Sequence, residues 1–194
     1  MRCCTSGLKA LLFALLLACV SAGQALADGI SVTRAEMRAA DEGYYLSVDF
    51  GIAPNFVIEQ ALTRGVTLYF VTEFTLNRPR WYWFDEAIVQ TEQVTKLSYN
   101  PLTRQYRLSR GSLYQNFSKL EDAIRMLGHQ TTAPVSASAF KKGANLVASV
   151  RLRLDVTQLP KPLQVSALTG KDWNLDSDWY RWFVNPDTAE GRGD

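Results

Sequence analysis

The chain predicts an all-β fold: an antiparallel β-sandwich, immunoglobulin-like in general architecture, with one or two short connecting helices and a closed barrel as the alternative. Two observations predict it. Three segments alternate apolar and polar residues with period two, the mark of a strand buried on one face. Tight-turn residues then separate consecutive strands, which makes a meander of antiparallel neighbours rather than a set of parallel crossovers.

The elements follow in order. A strand near Ile30 to Arg38 reaches the short turn Asp41-Glu42-Gly43 and returns through Tyr44, Leu46, Val48, Phe50 and Ile52, with Ser47 and Asp49 between them. A short helix is expected from Asn55 to Arg64, between Pro54 and Gly65. Val66, Leu68, Phe70, Phe74 and Leu76 form a second stripe. Asn77-Arg78-Pro79-Arg80 separates it from a long strand expected to start at Trp81, and Asn100-Pro101 separates that strand from Leu102 to Ser109. A second helix is expected at Ser118, where Ser118 and Glu121 spell a capping box, Leu120, Ile124 and Leu127 recur at helical spacing, and Gly128 offers a left-handed close. Leu146, Ala148, Val150, Leu152, Leu154 and Val156 form the third stripe, opposed by Ser149, Arg151, Arg153 and Asp155.

The first 27 residues predict export. Arg2 and Lys9 are basic, Ala10 to Val20 is almost wholly apolar, and Ala25-Leu26-Ala27 gives the A-x-A read by a signal peptidase, with cleavage between Ala27 and Asp28. The apolar run is too short to span a bilayer, which needs about 20 residues. Leu16-Leu17-Ala18-Cys19 resembles a lipobox, so a lipoprotein tethered at Cys19, or an uncleaved leader, is the alternative to a periplasmic protein. Taking 27 from 194 residues leaves 167, enough for one β-rich domain over 28–186, followed by a polar tail at 187–194 expected to be disordered. Cys3, Cys4 and Cys19 all lie in the leader, so a chain beginning at Asp28 has no disulfide, no thiol nucleophile and no thiolate metal site. Removing Arg2 and Lys9 leaves 19 basic residues against 19 acidic ones. That balance gives no general attraction for nucleic acid or an anionic membrane, and Arg104, Arg107 and Arg110, like Arg78 and Arg80, are read as solvated strand and turn faces.

No catalytic set, metal site or cofactor is assigned. His129 is the only histidine and sits at the expected helix end, where it suits free carbonyls and the helix dipole; a catalytic or ligand role is the alternative. Ser138-Ala139-Phe140-Lys141 matches S-x-x-K, but neither S-D-N nor K-T-G accompanies it. Asp172, Asn174, Asp176 and Asp178 alternate like the start of a calcium loop, yet Ser177 and Phe183 stand where an EF-hand needs glycine and glutamate. Asp85-Glu86 and Glu121-Asp122 are neighbours whose side chains diverge, so neither makes a facing carboxylate pair. Arg192-Gly193-Asp194 carries no weight as three residues of a tail.

Aromatic clusters supply the candidate site. Trp81-Tyr82-Trp83-Phe84 is expected to open the long strand, with Trp81 and Trp83 on one face and Tyr82 and Phe84 on the other; Trp173, Trp179, Tyr180, Trp182 and Phe183 crowd the C-terminus. Core packing is one reading, and a platform for a ligand or partner built from Trp81, Tyr82, Trp83, Trp179 and Trp182 is the other.

Three stretches carry a resemblance: Ser112-Leu113-Tyr114-Gln115-Asn116-Phe117; Arg153-Leu154-Asp155-Val156 with Leu159-Pro160-Lys161-Pro162-Leu163; and Trp173-Asn174-Leu175-Asp176-Ser177-Asp178-Trp179. Together with the leader they resemble the exported proteobacterial family known as domain-of-unknown-function family 4390, over about residues 30 to 185. The resemblance implies a small exported bacterial protein of one domain, often encoded beside a membrane sensor histidine kinase, and supplies no activity or catalytic residues to carry over. The expected function is a non-enzymatic binding or interaction module of the cell envelope, accessory to a membrane sensor or other envelope protein. A sugar- or lipid-binding protein is the alternative, and a hydrolase built from distant carboxylates with His129 is the third reading.

Overall fold

The computed structural model describes residues 29–40, 43–82, 85–132, 134–136, 146–184 and 190–192. Strand β1 (Gly29–Ala40) pairs antiparallel with β2 (Gly43–Ala53), Ala40 facing Gly43 across the expected hairpin turn, whose Asp41 and Glu42 lie outside the described residues. The apolar residues of β1 change phase, from Ile30 and Val32 to Ala35 and Met37. A bulge between Val32 and Arg34 absorbs the slip, and the Thr33 hydroxyl donates to the Asp49 carbonyl at 2.8 Å. One extra residue turns the rest of the strand over, so Ile30, Ala35 and Met37 are all buried.

Asn55 caps α1 (Phe56–Thr63) by accepting from the Ile58 amide at 3.0 Å, a contact worth about 1 kcal/mol. The chain then crosses to a second sheet and runs as a meander through β3 (Leu68–Arg78), β4 (Glu86–Asn100), β5 (Gln105–Arg110) and β6 (Leu113–Phe117). Helix α2 (Leu120–Gly128) returns it to the first sheet, where β7 (His129–Thr131) pairs with β2. Next, β8 (Leu146–Leu154) pairs with β3. A single 3-10 turn (Val156–Gln158) and α3 (Lys161–Thr169) lead to β9 (Tyr180–Val184), beside β8. Inside the tail expected to be disordered, β10 (Glu190–Arg192) pairs with Glu36–Arg38 of β1.

Strand order is β10-β1-β2-β7 in one sheet and β6-β5-β4-β3-β8-β9 in the other. The two sheets stay separate and open, so the fold is the expected β-sandwich and not a closed barrel. Leu46, Val48 and Phe50 of the first sheet are buried in one core with Phe70, Phe74, Leu76, Leu97, Val150 and Leu152 of the second. Each such side chain contributes about 1.5–3 kcal/mol relative to exposure. No helix among the described residues is long and apolar enough to cross a membrane.

Three expectations are corrected. The long strand begins at Glu86, not Trp81: β3 ends at Arg78, Pro79 follows with no amide to donate, and Trp81 and Tyr82 lie in a turn. The Ser118–Glu121 capping box does not form, because Ser118 still belongs to the bend leaving β6 and the cap position falls on Lys119, with no side-chain cap bond. Gly128 does not close the helix in a left-handed conformation. It is the last residue of α2, packed so tightly on β2 that a Cβ there would run into the Phe50 carbonyl. Helix α3 was not expected. Pro160 and Pro162 read as breakers, but they occupy the cap and first turn, where a missing amide costs nothing.

Candidate functional site

The five aromatic candidates do not assemble into one platform. Trp81 and Tyr82 stack edge to face, ring centres 5.2 Å apart, in the turn between β3 and β4, with Trp81 94% exposed. Trp83 lies outside the described residues. Trp179 lies just before β9, its ring 4.8 Å from the Arg151 guanidinium on β8. Trp182 alternates inward, is buried, and packs 5.6 Å from Tyr180; its indole Nε1 has no hydrogen-bond partner among the described residues. The signal-peptide junction Ala27–Asp28, Cys19 and the Ser138–Lys141 motif are likewise outside the described residues.

The candidate chemical groups resolve into fastenings. Glu73 on β3 is only 9% exposed, beneath two arginines of β8. Arg151 donates to its Oε2 from Nε (3.2 Å) and Nη2 (2.7 Å), and Arg153 donates to Oε1 at 2.6 Å. Burial alone would raise the Glu73 carboxyl. The hydrogen bonds from Arg153 and Arg151, with their charges, overcome it and hold the group below the ordinary glutamate value of 4.5. Glu86 is clasped by Arg80 (2.7 Å) and Arg78 (2.9 Å) at the far end of the same hairpin. Asp172 accepts through its carbonyl from Asn55 Nδ2 at 2.6 Å, and Asp176 forms a bridge with Arg153. Among the described residues no three His, Cys, Asp or Glu side chains converge as a metal site.

His129 ends α2, its amide donating to the Arg125 carbonyl, and its Nδ1 lies 2.6 Å from Asp49 Oδ1 across the β2–β7 pair. The groove beside this pair is lined by Asp49, Phe117, Asp122, Arg125, Met126 and His129. None of those residues offers a hydroxyl or thiol.

The feature that sequence reasoning did not locate is the edge strand β6. Strand β6 (LYQNF) is the outermost strand of the six-stranded sheet, and Leu113 to Asn116 are all exposed. Natural edges are blunted by charge, proline, bulges or short length. Here β6 has no charged residue and no proline, and its register with β5 runs unbroken from Arg110↔Leu113 to Tyr106↔Phe117. The hairpin closes through Gly111-Ser112, with Gly111 at φ 57, the positive value that the first position of a II′ turn requires. In such a two-residue hairpin the closing pair exchanges both backbone bonds. Leu113, Gln115 and Phe117 therefore turn their backbone groups to β5, while Tyr114 and Asn116 turn theirs outward. The ring of Tyr114 is braced 4.7 Å from the Arg107 guanidinium, and Asn116 Oδ1 accepts from Arg107 Nε at 3.1 Å. Beside the strand runs a groove of about 180 Å³ lined by Leu108, Arg110, Leu113, Tyr114, Gln115 and Met126. The other edges are less available: β7 and β10 have three residues each, and β9 carries Arg181.

Fold and edge define a class, a two-sheet antiparallel β-sandwich whose larger sheet ends in an exposed, uncharged strand. Within that class, a family model, the domain of unknown function DUF4390, matches residues 27–183. The chain belongs to that family. No curated protein and no solved structure matches it significantly.

Proposed function

We propose that this protein is an exported, non-enzymatic interaction module of the bacterial cell envelope, accessory to a membrane sensor or another envelope protein, and that it takes a strand of its partner onto β6. The observation that carries the reading is the unprotected β6 edge: five uncharged residues in unbroken register, with the Tyr114 and Asn116 backbone groups facing out. Strand addition supplies affinity through main-chain hydrogen bonds and selectivity through alternate side chains. The basic, apolar and A-x-A regions of residues 1–27 support export, with the mature chain starting at Asp28 or at a lipidated Cys19.

The test is crosslinking in living cells with tagged protein at native level. Asn116→Pro removes one outward amide and keeps every backbone bond to β5, losing besides only the exposed Arg107–Asn116 side-chain bond. The reading expects an envelope protein captured by the wild type and lost with Asn116→Pro, at unchanged expression and thermal stability. Equal capture by both proteins overturns it.

A second reading has one specific support. Phe50, Ile52, Leu120 and Ile124, with Glu59, Glu121 and Arg125, line a groove of about 360 Å³ between β2 and the helices, of a size for a small lipid or sugar ligand. A panel of such ligands that leaves tryptophan fluorescence and thermal stability unchanged removes it.

A further inference from the structure

We infer that the strand accepted by β6 is acidic, and that one of its carboxylates sits on Arg110 in the groove beside that edge. The inference rests on β6 being the docking edge and specifies what docks. Between Glu92 and Glu121 the chain has no acidic residue, and in that stretch lie Lys96, Arg104, Arg107, Arg110 and Lys119. Among the described residues none of these five meets a carboxylate, whereas Arg34, Arg38, Arg78, Arg80, Arg151 and Arg153 each do. Lys96 lies over the Tyr69 ring and Arg107 over that of Tyr114. Positive charge has thus been kept on the open end of the sheet and left without its complement.

Arg110 is the residue that reads the partner. Its Nη2 donates to Gln130 Oε1 at 2.8 Å and its Nε lies 3.4 Å from Thr95 Oγ1. Gln130 in turn donates to the Leu127 carbonyl, so the guanidinium is held in one orientation from α2. Nη1 has no protein partner among the described residues. The guanidinium is half-buried among Leu108, Leu113 and Met126, and burial lowers its pKa with no neighbouring carboxylate to raise it. A charge in such a setting gains more from a carboxylate than an exposed one does.

Charge complementarity selects the occupant. A second copy of this chain pairing through β6 brings LYQNF, which has no carboxylate, and a second set of arginines. A nucleic acid or an anionic membrane would answer the charge but leave the outward backbone groups of Tyr114 and Asn116 without strand partners. An acidic segment of a partner protein answers both.

The experiment is selection of a displayed library of seven-residue peptides on the purified protein, followed by binding of one selected peptide and its Glu→Gln counterpart to the wild type, Arg110→Gln, Arg110→Lys and Asn116→Pro. The expected result is enrichment of Asp and Glu, and about ten-fold weaker binding of the Gln peptide to the wild type. The same two peptides should bind alike to Arg110→Gln, with an intermediate difference on Arg110→Lys, which keeps the charge should the neutral variant fold poorly. Peptides that need the Asn116 edge but show no acidic preference overturn the inference and leave the docking edge standing. Binding indifferent to Asn116→Pro overturns the docking edge itself. Binding only of a DNA duplex or of anionic vesicles, lost with Arg110→Gln, overturns the inference in favour of a polyanion.

Discussion

At the scale of single residues, the outer face of the second sheet depends on Glu73. Its carboxylate accepts from two arginines of the neighbouring strand, and Trp179 covers one of them. Removing one side of a buried ionic cluster leaves the other unpaired, so Glu73→Gln should cost about 2–3 kcal/mol of stability at neutral pH. Because the folded-state pKa is depressed, this contribution is complete above the ordinary value of 4.5 and is lost as pH falls through the lower folded value. Unfolding curves of wild type and variant should therefore differ at pH 7 and converge in acid; a difference that persists at low pH contradicts the assignment. The tryptophans divide just as sharply. Trp182→Ala empties a core position and should cost about 3–5 kcal/mol, while Trp81→Ala removes an exposed ring and should change stability by less than about 0.5 kcal/mol. Sequence showed both as aromatic residues beside a strand. Inward and outward differ by one step of register, and the turn at Pro79, which moves Trp81 off the strand, is a tertiary outcome.

At the scale of elements, α2 is held by contact rather than by caps. It lacks a side-chain N-cap bond, and its last residue approaches the Phe50 carbonyl where only glycine fits. Gly128→Ala should push α2 off β2 and cost about 1–3 kcal/mol, read by chemical denaturation; a neutral substitution contradicts that packing. Alternation made β2, β3 and β8 legible, because a half-buried strand writes its burial into its sequence. In β1 the phase change from Val32 to Ala35 is a legible sign of the bulge, visible once the two halves are taken separately. Strand β6 was not legible as a strand. Leu113 to Asn116 are exposed on both faces, so no alternation marks them. Its hairpin glycine and its lack of charge were the available signals, and both mean something only once β6 is known to be an edge. Helix α3 was hidden for a related reason: it fully buries no side chain, and only Leu163 and Ala167 pack partly against the core, too few for an apolar stripe.

At the scale of the whole molecule, two open sheets share one core while the charge is unevenly placed. The full chain carries a net charge of only +2, yet the stretch between Glu92 and Glu121 holds five basic residues and no acidic one. Near-neutral composition hid this, because it averages a paired surface with an unpaired one. Under the proposed strand addition, the β5–β6 end is the working end of the molecule and the aromatic turn at Trp81 takes no part in partner binding. The most direct test places a photoreactive residue at Tyr114 on β6, and separately at Arg181 on β9 and at Trp81, in living cells. The expected result is one defined protein adduct from position 114, reduced when Asn116→Pro is added, and none of the same size from 181 or 81. An adduct from 181 or 81 without one from 114 would contradict it.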